Sequence, residues 1–235
     1  MRRISIPLLI FSTCLALVAL PQAKAQIITF DAPGAGTGPF QGTFPQQNIQ
    51  AGEIVGYNID ANNVSHGFVR DQDGTISIFD PPGAGTGPGQ GTLALGIAQN
   101  GAITGLYLDG SNAHHGFLRS KQGTFTTFDV PGAKNTNAIA INPSGVISGD
   151  YGDAGNVVHG FVRAKDGTIT SFDPLGSVLT SADTLGINPA GTISIPFLDA
   201  SGLVHGAVRT KDGTITSFDV PGAHRPRPGH FYRRH

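Results

Sequence analysis

The sequence predicts an all-β fold built from repeats, on three observations. Five segments are variants of one phrase: Ile28–Asp31 (ITFD), Thr75–Asp80 (TISIFD), Thr124–Asp129 (TFTTFD), Thr168–Asp173 (TITSFD) and Thr214–Asp219 (TITSFD). Their aspartates stand 49, 49, 44 and 46 residues apart. A second phrase, His-Gly-(Phe/Ala), recurs at His66, His115, His159 and His205. Between these, short runs of β-formers alternate with turn signals, and no window holds a helical period. A period of this size marks an array of small units, none able to bury its apolar face alone. The acids agree: fifteen of sixteen are Asp and only Glu53 is Glu, and Asp favours turns where Glu favours helices.

The third unit shows the plan. Phe128–Ala133 ends one strand in a Pro-Gly turn, where proline pre-sets φ and glycine accepts a positive one. Strands are then predicted at Ala138–Asn142, Val146–Tyr151, Val158–Arg163 and Thr168–Phe172, separated by Pro143-Ser144-Gly145, Asp153–Asn156 and Lys165-Asp166-Gly167. Four short antiparallel strands per repeat is the arithmetic of a β-propeller blade. Both strand faces carry apolar or small residues, as in a sheet covered on each side. The expected architecture is a closed four-bladed ring of units at about 30–78, 79–127, 128–171 and 172–217, with 214–219 as closing strand. There are four copies of every other strand but five ending in Phe-Asp. One copy is therefore surplus, at the start (Ile28–Asp31) or at the end (Thr214–Asp219). The rival to closure is a longer propeller cut short after Gly222-Ala223.

Residues 1–25 read as a secretory signal. Arg2 and Arg3 precede an apolar run, and Ala23-Lys24-Ala25 offers small residues for cleavage before Gln26. The run contains Pro7 and is short for a membrane span. The expected location is secreted or periplasmic, with no span after cleavage. Removing 25 residues from 235 leaves 210, enough for one domain with a sizeable core. Cys14 is the only cysteine, so that core must hold without disulfides. Residues 26–223 carry sixteen acids against eight Lys and Arg, a net −8, which argues against nucleic acid as partner. Residues 224–235 are expected to be a basic, disordered tail.

The phrases HGFVR, GTITSFDVPGA, GINPAGTI and G-x-Y-x-D resemble the bacterial extracellular HAF repeats over nearly the whole mature chain. The resemblance implies secretion and propeller-like repeats but no assigned reaction. The chain departs from it at Ala207, in place of the Phe of HGF, and at Pro196-Phe197, where other units have Gly before an aromatic. Ile49–Gly52 is a degraded GINPAG.

Each repeated histidine lies six residues after an aspartate, giving the pairs Asp60–His66, Asp109–His115, Asp153–His159 and Asp199–His205. A ring of metal sites is one reading. The other is structural: the turn Asp accepts a hydrogen bond from the His that opens the next strand. The structural reading is preferred, because a group recurring once per blade serves the blade, and a two-ligand pair leaves a metal short of its usual four. The strand-terminal Asp31, Asp80, Asp129, Asp173 and Asp219 could form an acidic ring for Ca²⁺, so Asp80, Asp129, Asp173 and Asp219 are the alternative metal set. Capping of the D-x-P-G turn is again preferred. No cofactor is expected.

The Gly-rich stretches Gly34–Gly42 and Gly83–Gly91 lack a Gly-Lys-Ser/Thr, so they read as flexible surface loops and as the best ligand-facing rim. Arg70, Arg119, Arg163 and Arg209 read as strand-end surface residues. No Ser sits in a G-x-S-x-G elbow, the mature chain has no thiol, and every Asp that could act as a glycosidase carboxylate is accounted for by repetition. The expectation is a secreted, monomeric, non-enzymatic module or scaffold binding an unknown protein or carbohydrate. The alternatives are a propeller hydrolase or lyase with an Asp/His rim site, and calcium-dependent adhesion.

Overall fold

A computed structural model describes residues 27–180 and 186–219. The proposed signal with its cleavage boundary and the basic tail lie outside these residues. The chain divides after Phe30 into two units. Of the first, residues 27–30 are described; they lie in no strand, and Ile27 and Ile28 are exposed.

Among its described residues, the body from Asp31 onward holds seventeen strands and no helix. The first repeat is β1 (Gly42–Asn48), β2 (Ile54–Ile59), β3 (Ser65–Arg70) and β4 (Ile76–Phe79). The second is β5 (Gly91–Ile97), β6 (Ile103–Leu108), β7 (His114–Arg119) and β8 (Phe125–Phe128). The third is β9 (Asn135–Ile141), β10 (Ile147–Gly152), β11 (Val158–Arg163) and β12 (Ile169–Phe172). In the fourth, β13 (Ser177–Thr180) and β14 (Gly186–Ile187) share the first position, followed by β15 (Ile193–Asp199), β16 (Val204–Arg209) and β17 (Ile215–Phe218). Each repeat is an antiparallel meander in chain order. One parallel bridge, Ser65 with Gly91, joins the first two into a single eight-stranded sheet. A Cβ on Gly91 would lie 2.0 Å from the Ser65 carbonyl oxygen, so only glycine permits the approach.

The repeats pack in series, the forward face of each on the back face of the next. Phe79 at the end of β4 meets Phe117 and Phe125, with ring centres 6.3 and 6.0 Å away. Phe128 meets Phe161 at 6.2 Å. Phe172 joins Ile193, Ile195, Phe197 and Ala207. Middle strands are thus covered on both sides; Ile103–Tyr107 are all buried, which is why apolar/polar alternation is missing there. The glycine of each His-Gly phrase is the Cα partner of that repeat's final Phe. A Cβ there would fall 2.6, 2.8, 2.5 and 2.8 Å from the rings of Phe79, Phe128, Phe172 and Phe218, so the phrase needs glycine.

Two expectations are revised. The Gly-rich stretches are not slack loops. Gln41 Oε1 accepts from Gly38 N at 2.8 Å, and Gln41 Nε2 donates to Ala61 O and Asn63 Oδ1. Gln90 repeats all three bonds with Gly87, Gly110 and Asn112. Each loop is stitched to the neighbouring hairpin. The arginines are also not plain surface residues. The guanidiniums of Arg119, Arg163 and Arg209 lie over the rings of Phe79, Phe128 and Phe172, at 4.7, 4.7 and 5.3 Å.

The first Phe-Asp copy is the surplus one. β17 is the fourth strand of the fourth repeat, paired with β16, and Ile28–Asp31 joins no sheet. Among the described residues, no strand of the first repeat pairs with one of the fourth, and no sheet closes on itself.

Candidate functional site

The four repeated histidines form one construction, built once per repeat at the start of the third strand. Strand alternation turns the His side chain away from the flanking glycine's side. Each ring then bridges two carboxylates. Nδ1 faces the strand-terminal Asp: His66 to Asp80 at 2.8 Å, His115 to Asp129 at 3.0 Å, His159 to Asp173 at 2.7 Å and His205 to Asp219 at 2.7 Å. Nε2 faces the turn Asp six residues earlier: Asp60 at 3.8 Å, Asp109 at 3.3 Å, Asp153 at 3.5 Å and Asp199 at 3.1 Å. The structure therefore brings both predicted sets of aspartates to the same four histidines.

Both carboxylates have further work. Oδ1 of each turn Asp accepts backbone N–H groups of its own hairpin: Asn62 and Val64, Ser111 and Ala113, Val157, and Ser201 and Leu203. These bonds favour the charged carboxylate. The Ser111 hydroxyl and the Ala113 amide hold Asp109 far below the usual carboxylate range, and the Leu203 amide and Ser201 hydroxyl do the same for Asp199. Two of the strand-terminal acids, Asp80 and Asp173, instead reach the next repeat. The hydroxyls of Thr92 and Thr180 donate to Asp80 and Asp173. Where a non-proline residue follows the Asp, the threonine accepts from that residue's N–H: Ala32 to Thr43 at 2.9 Å, Val130 to Thr136 at 3.0 Å. Pro81 and Pro174 have no N–H to give. In the first and third repeats the result is a chain of turn Asp, His, strand-end Asp and the next repeat's Thr.

An imidazole flanked by two carboxylates satisfies both only as imidazolium, because the neutral ring has one N–H. The hydrogen bond donated to Asp173 raises His159, and those donated to Asp199 and Asp219 raise His205. Burial pulls His115 down, but Asp129 and Asp109 together outweigh it and raise it. Aromatic rings back three of the four: Tyr107 on His115 at 5.0 Å, Tyr151 on His159 at 5.2 Å and Phe197 on His205 at 5.1 Å. In the first repeat that position is Asn58.

Among the described residues, no three His, Cys, Asp or Glu side chains converge on a point where a metal could sit. The threonines and arginines of the inter-repeat contacts were missed from the sequence. The threonines carried a signal in the repeated Gln-Gly-Thr at 41–43 and 90–92. A groove of about 530 Å³ lies between turns of the first two repeats, lined by Glu53, Asp71, Asp73 and Lys121, with Lys121 Nζ 3.4 Å from Glu53. No helix among the described residues is long and apolar enough to cross a membrane.

No family model matches the chain, and no curated protein matches it. Among solved structures it is similar to a streptogramin B lyase, at 16% identity and TM-score 0.45, covering 82% of this chain and 73% of that one. It is also similar to an Aleuria aurantia lectin mutant in complex with alpha-methyl-L-fucoside, at 13% identity and TM-score 0.47, covering 75% of this chain and 59% of the lectin.

Proposed function

We propose that the protein is a secreted, non-enzymatic, propeller-like module that binds a protein or carbohydrate or serves as an extracellular scaffold, its four repeats standing as an open array rather than a closed ring. One observation carries the non-enzymatic reading. Each repeated histidine lies between two carboxylates of its own repeat, with both ring nitrogens within hydrogen-bond distance in the last three, and two of the strand-end carboxylates, Asp80 and Asp173, go on to a threonine of the next repeat. Groups committed in this way hold blades together. The loops at 34–42 and 83–91, held by Gln41 and Gln90, are the rim we assign to the partner, since a pre-ordered loop loses less entropy on binding. The bare forward face of the fourth repeat supports the open array, because a closing first repeat would cover it.

The test is a screen of the full chain against glycans and extracellular proteins, with Gln90→Ala as the control. A ligand retained by the wild type and lost in the variant supports the rim. Turnover abolished by His115→Asn would favour the hydrolase or lyase reading instead. Calorimetry with Ca²⁺ should give no dissociation constant tighter than about 10⁻⁵ M; a tighter one promotes the Asp-based adhesion reading. Released protein beginning at Gln26 would support export, and a retained residue 1 would oppose it.

A further inference from the structure

The forward face of each of the first three repeats is covered by the back face of the next. In the third repeat, Ser148, Asp150 and Phe172 on that face are all buried. The fourth repeat has the same face, and no described repeat lies on it. By strand register, Ser194, Pro196, Leu198, Val204, Val208 and Phe218 share it. None of them is buried. Phe218 is 52% exposed, where Phe79 and Phe172 are 8%, and Val204 is 63% exposed. A bare, contiguous apolar sheet face marks an association surface.

What can cover it follows from the other end of the array. The back face of the first repeat has no repeat before it, yet Phe68 and Asn58 on that face are 0% exposed. A head-to-tail contact would meet a face already shut. The open face carries no charged side chain among its six residues, so two copies can meet without like-charge repulsion, as a two-fold contact requires. We propose that the forward face of the fourth repeat pairs with itself across a two-fold axis, making the protein a reversible homodimer. This rests on reading the array as open. With strands about 4.8 Å apart and about 3.3 Å per residue, a face four strands wide and five residues long measures roughly 19 Å by 16 Å. That is roughly 300 Å² per copy, below the standard size of a specific interface, so the dimer is expected to be weak and transient.

Sedimentation equilibrium of the full chain over a concentration series tests it. The wild type should pass from monomer to dimer and stop there. Val204→Lys places two lysines across the axis from one another and should remove the dimer at every concentration, with circular dichroism and melting temperature unchanged. A dimer that survives Val204→Lys, or open-ended growth beyond two copies, overturns the two-fold contact. So does a wild-type monomer at all concentrations. In that case alkylation of Val204→Cys, in a chain also carrying Cys14→Ser, assigns the failure. Labelling at the rate of an unfolded thiol leaves the array open and sinks only the dimer; a protected thiol sinks the open array as well.

Discussion

Ile195 and Ala207 are Cα partners across β15 and β16, at the position held by Gly56 and Phe68, Gly105 and Phe117, and Gly149 and Phe161 in the other repeats. In those three, a Cβ on the glycine would lie 2.7–2.9 Å from the phenylalanine ring. The fourth repeat exchanges the arrangement, with bulk on β15 and a methyl on β16, and both residues are at most 2% exposed. Two departures that look independent in the sequence are one compensated substitution. Ala207→Phe alone should overpack the site and cost about 1–3 kcal/mol. Ile195→Gly alone should leave a cavity and cost about 2–5 kcal/mol. The double variant rebuilds the pair of the other repeats and should recover most of the loss. Denaturant unfolding of all four proteins closes the cycle, and simple additivity would contradict the pairing.

Stability should depend on pH with a definite sign. The folded values of His115, His159 and His205 are raised above that of the unfolded chain. Their contribution is therefore fully present below about pH 6.5 and is lost as pH rises through the raised values. The turn acids act oppositely. Asp109 and Asp199 are depressed, so their contribution is present above about pH 4 and lost as pH falls toward their folded values. Melting temperature should peak between these limits. The group facing each of these histidines from the chain is its own acid pair, so a profile flat from pH 6 to 9 would contradict the bridging imidazolium.

Asn58 fills the slot that Tyr107, Tyr151 and Phe197 fill elsewhere. It is fully buried, and neither side-chain polar atom has a hydrogen-bond partner among the described residues. The matching loop has room. A Cβ on Gly83 would approach Tyr107 at 3.5 Å, whereas one on Gly34 would meet nothing within 4 Å. Asn58→Tyr should stabilise the protein by about 1–2 kcal/mol, by removing an unsatisfied amide and placing a ring against His66. Thermal unfolding checks it; a lower melting temperature would mean that the slot does not accept a ring.

The Thr180 hydroxyl ties Asp173 to the fourth repeat across a sequence separation of seven. Thr180→Val keeps the shape and deletes the bond. The expected cost is about 1–2 kcal/mol, with the loss seen first as faster hydrogen exchange in β13 and β15. Unchanged exchange there would show that the bond does not join the repeats.

The repeat phrases made the strand plan legible because glycine, histidine and phenylalanine recur where local geometry leaves no choice, as at Gly160 over Phe172. The predicted Val158–Arg163 strand is the observed β11. Contacts between repeats were harder to read. Thr92 follows Asp80 by twelve residues and Thr180 follows Asp173 by seven, so no fixed spacing announces them. Arg119, Arg163 and Arg209 look like polar strand ends until the preceding repeat's ring is placed beneath them. Which Phe-Asp copy is surplus depends on pairing partners, and the two copies are nearly identical as strings. For the candidate site, residue identity was visible but its second half was not: each histidine shows its turn Asp six residues away, while the other Asp, fourteen residues on, is brought back only by the hairpin.

The repeated Asp–His–Asp bridges are expected to hold the blades together and to take no ligand, and a His159→Asn variant separates these two roles. The side chains of His159 and Asp173 are 24% and 39% exposed, so solvent screens part of the interaction and the expected cost is about 1 kcal/mol. For a chain of this size that lowers the melting temperature by about 2–4 °C. The variant should show that drop at pH 6, a smaller one at pH 9, and unchanged binding of Ca²⁺ or of any ligand found in the screen. An unchanged melting temperature together with lost binding would contradict it.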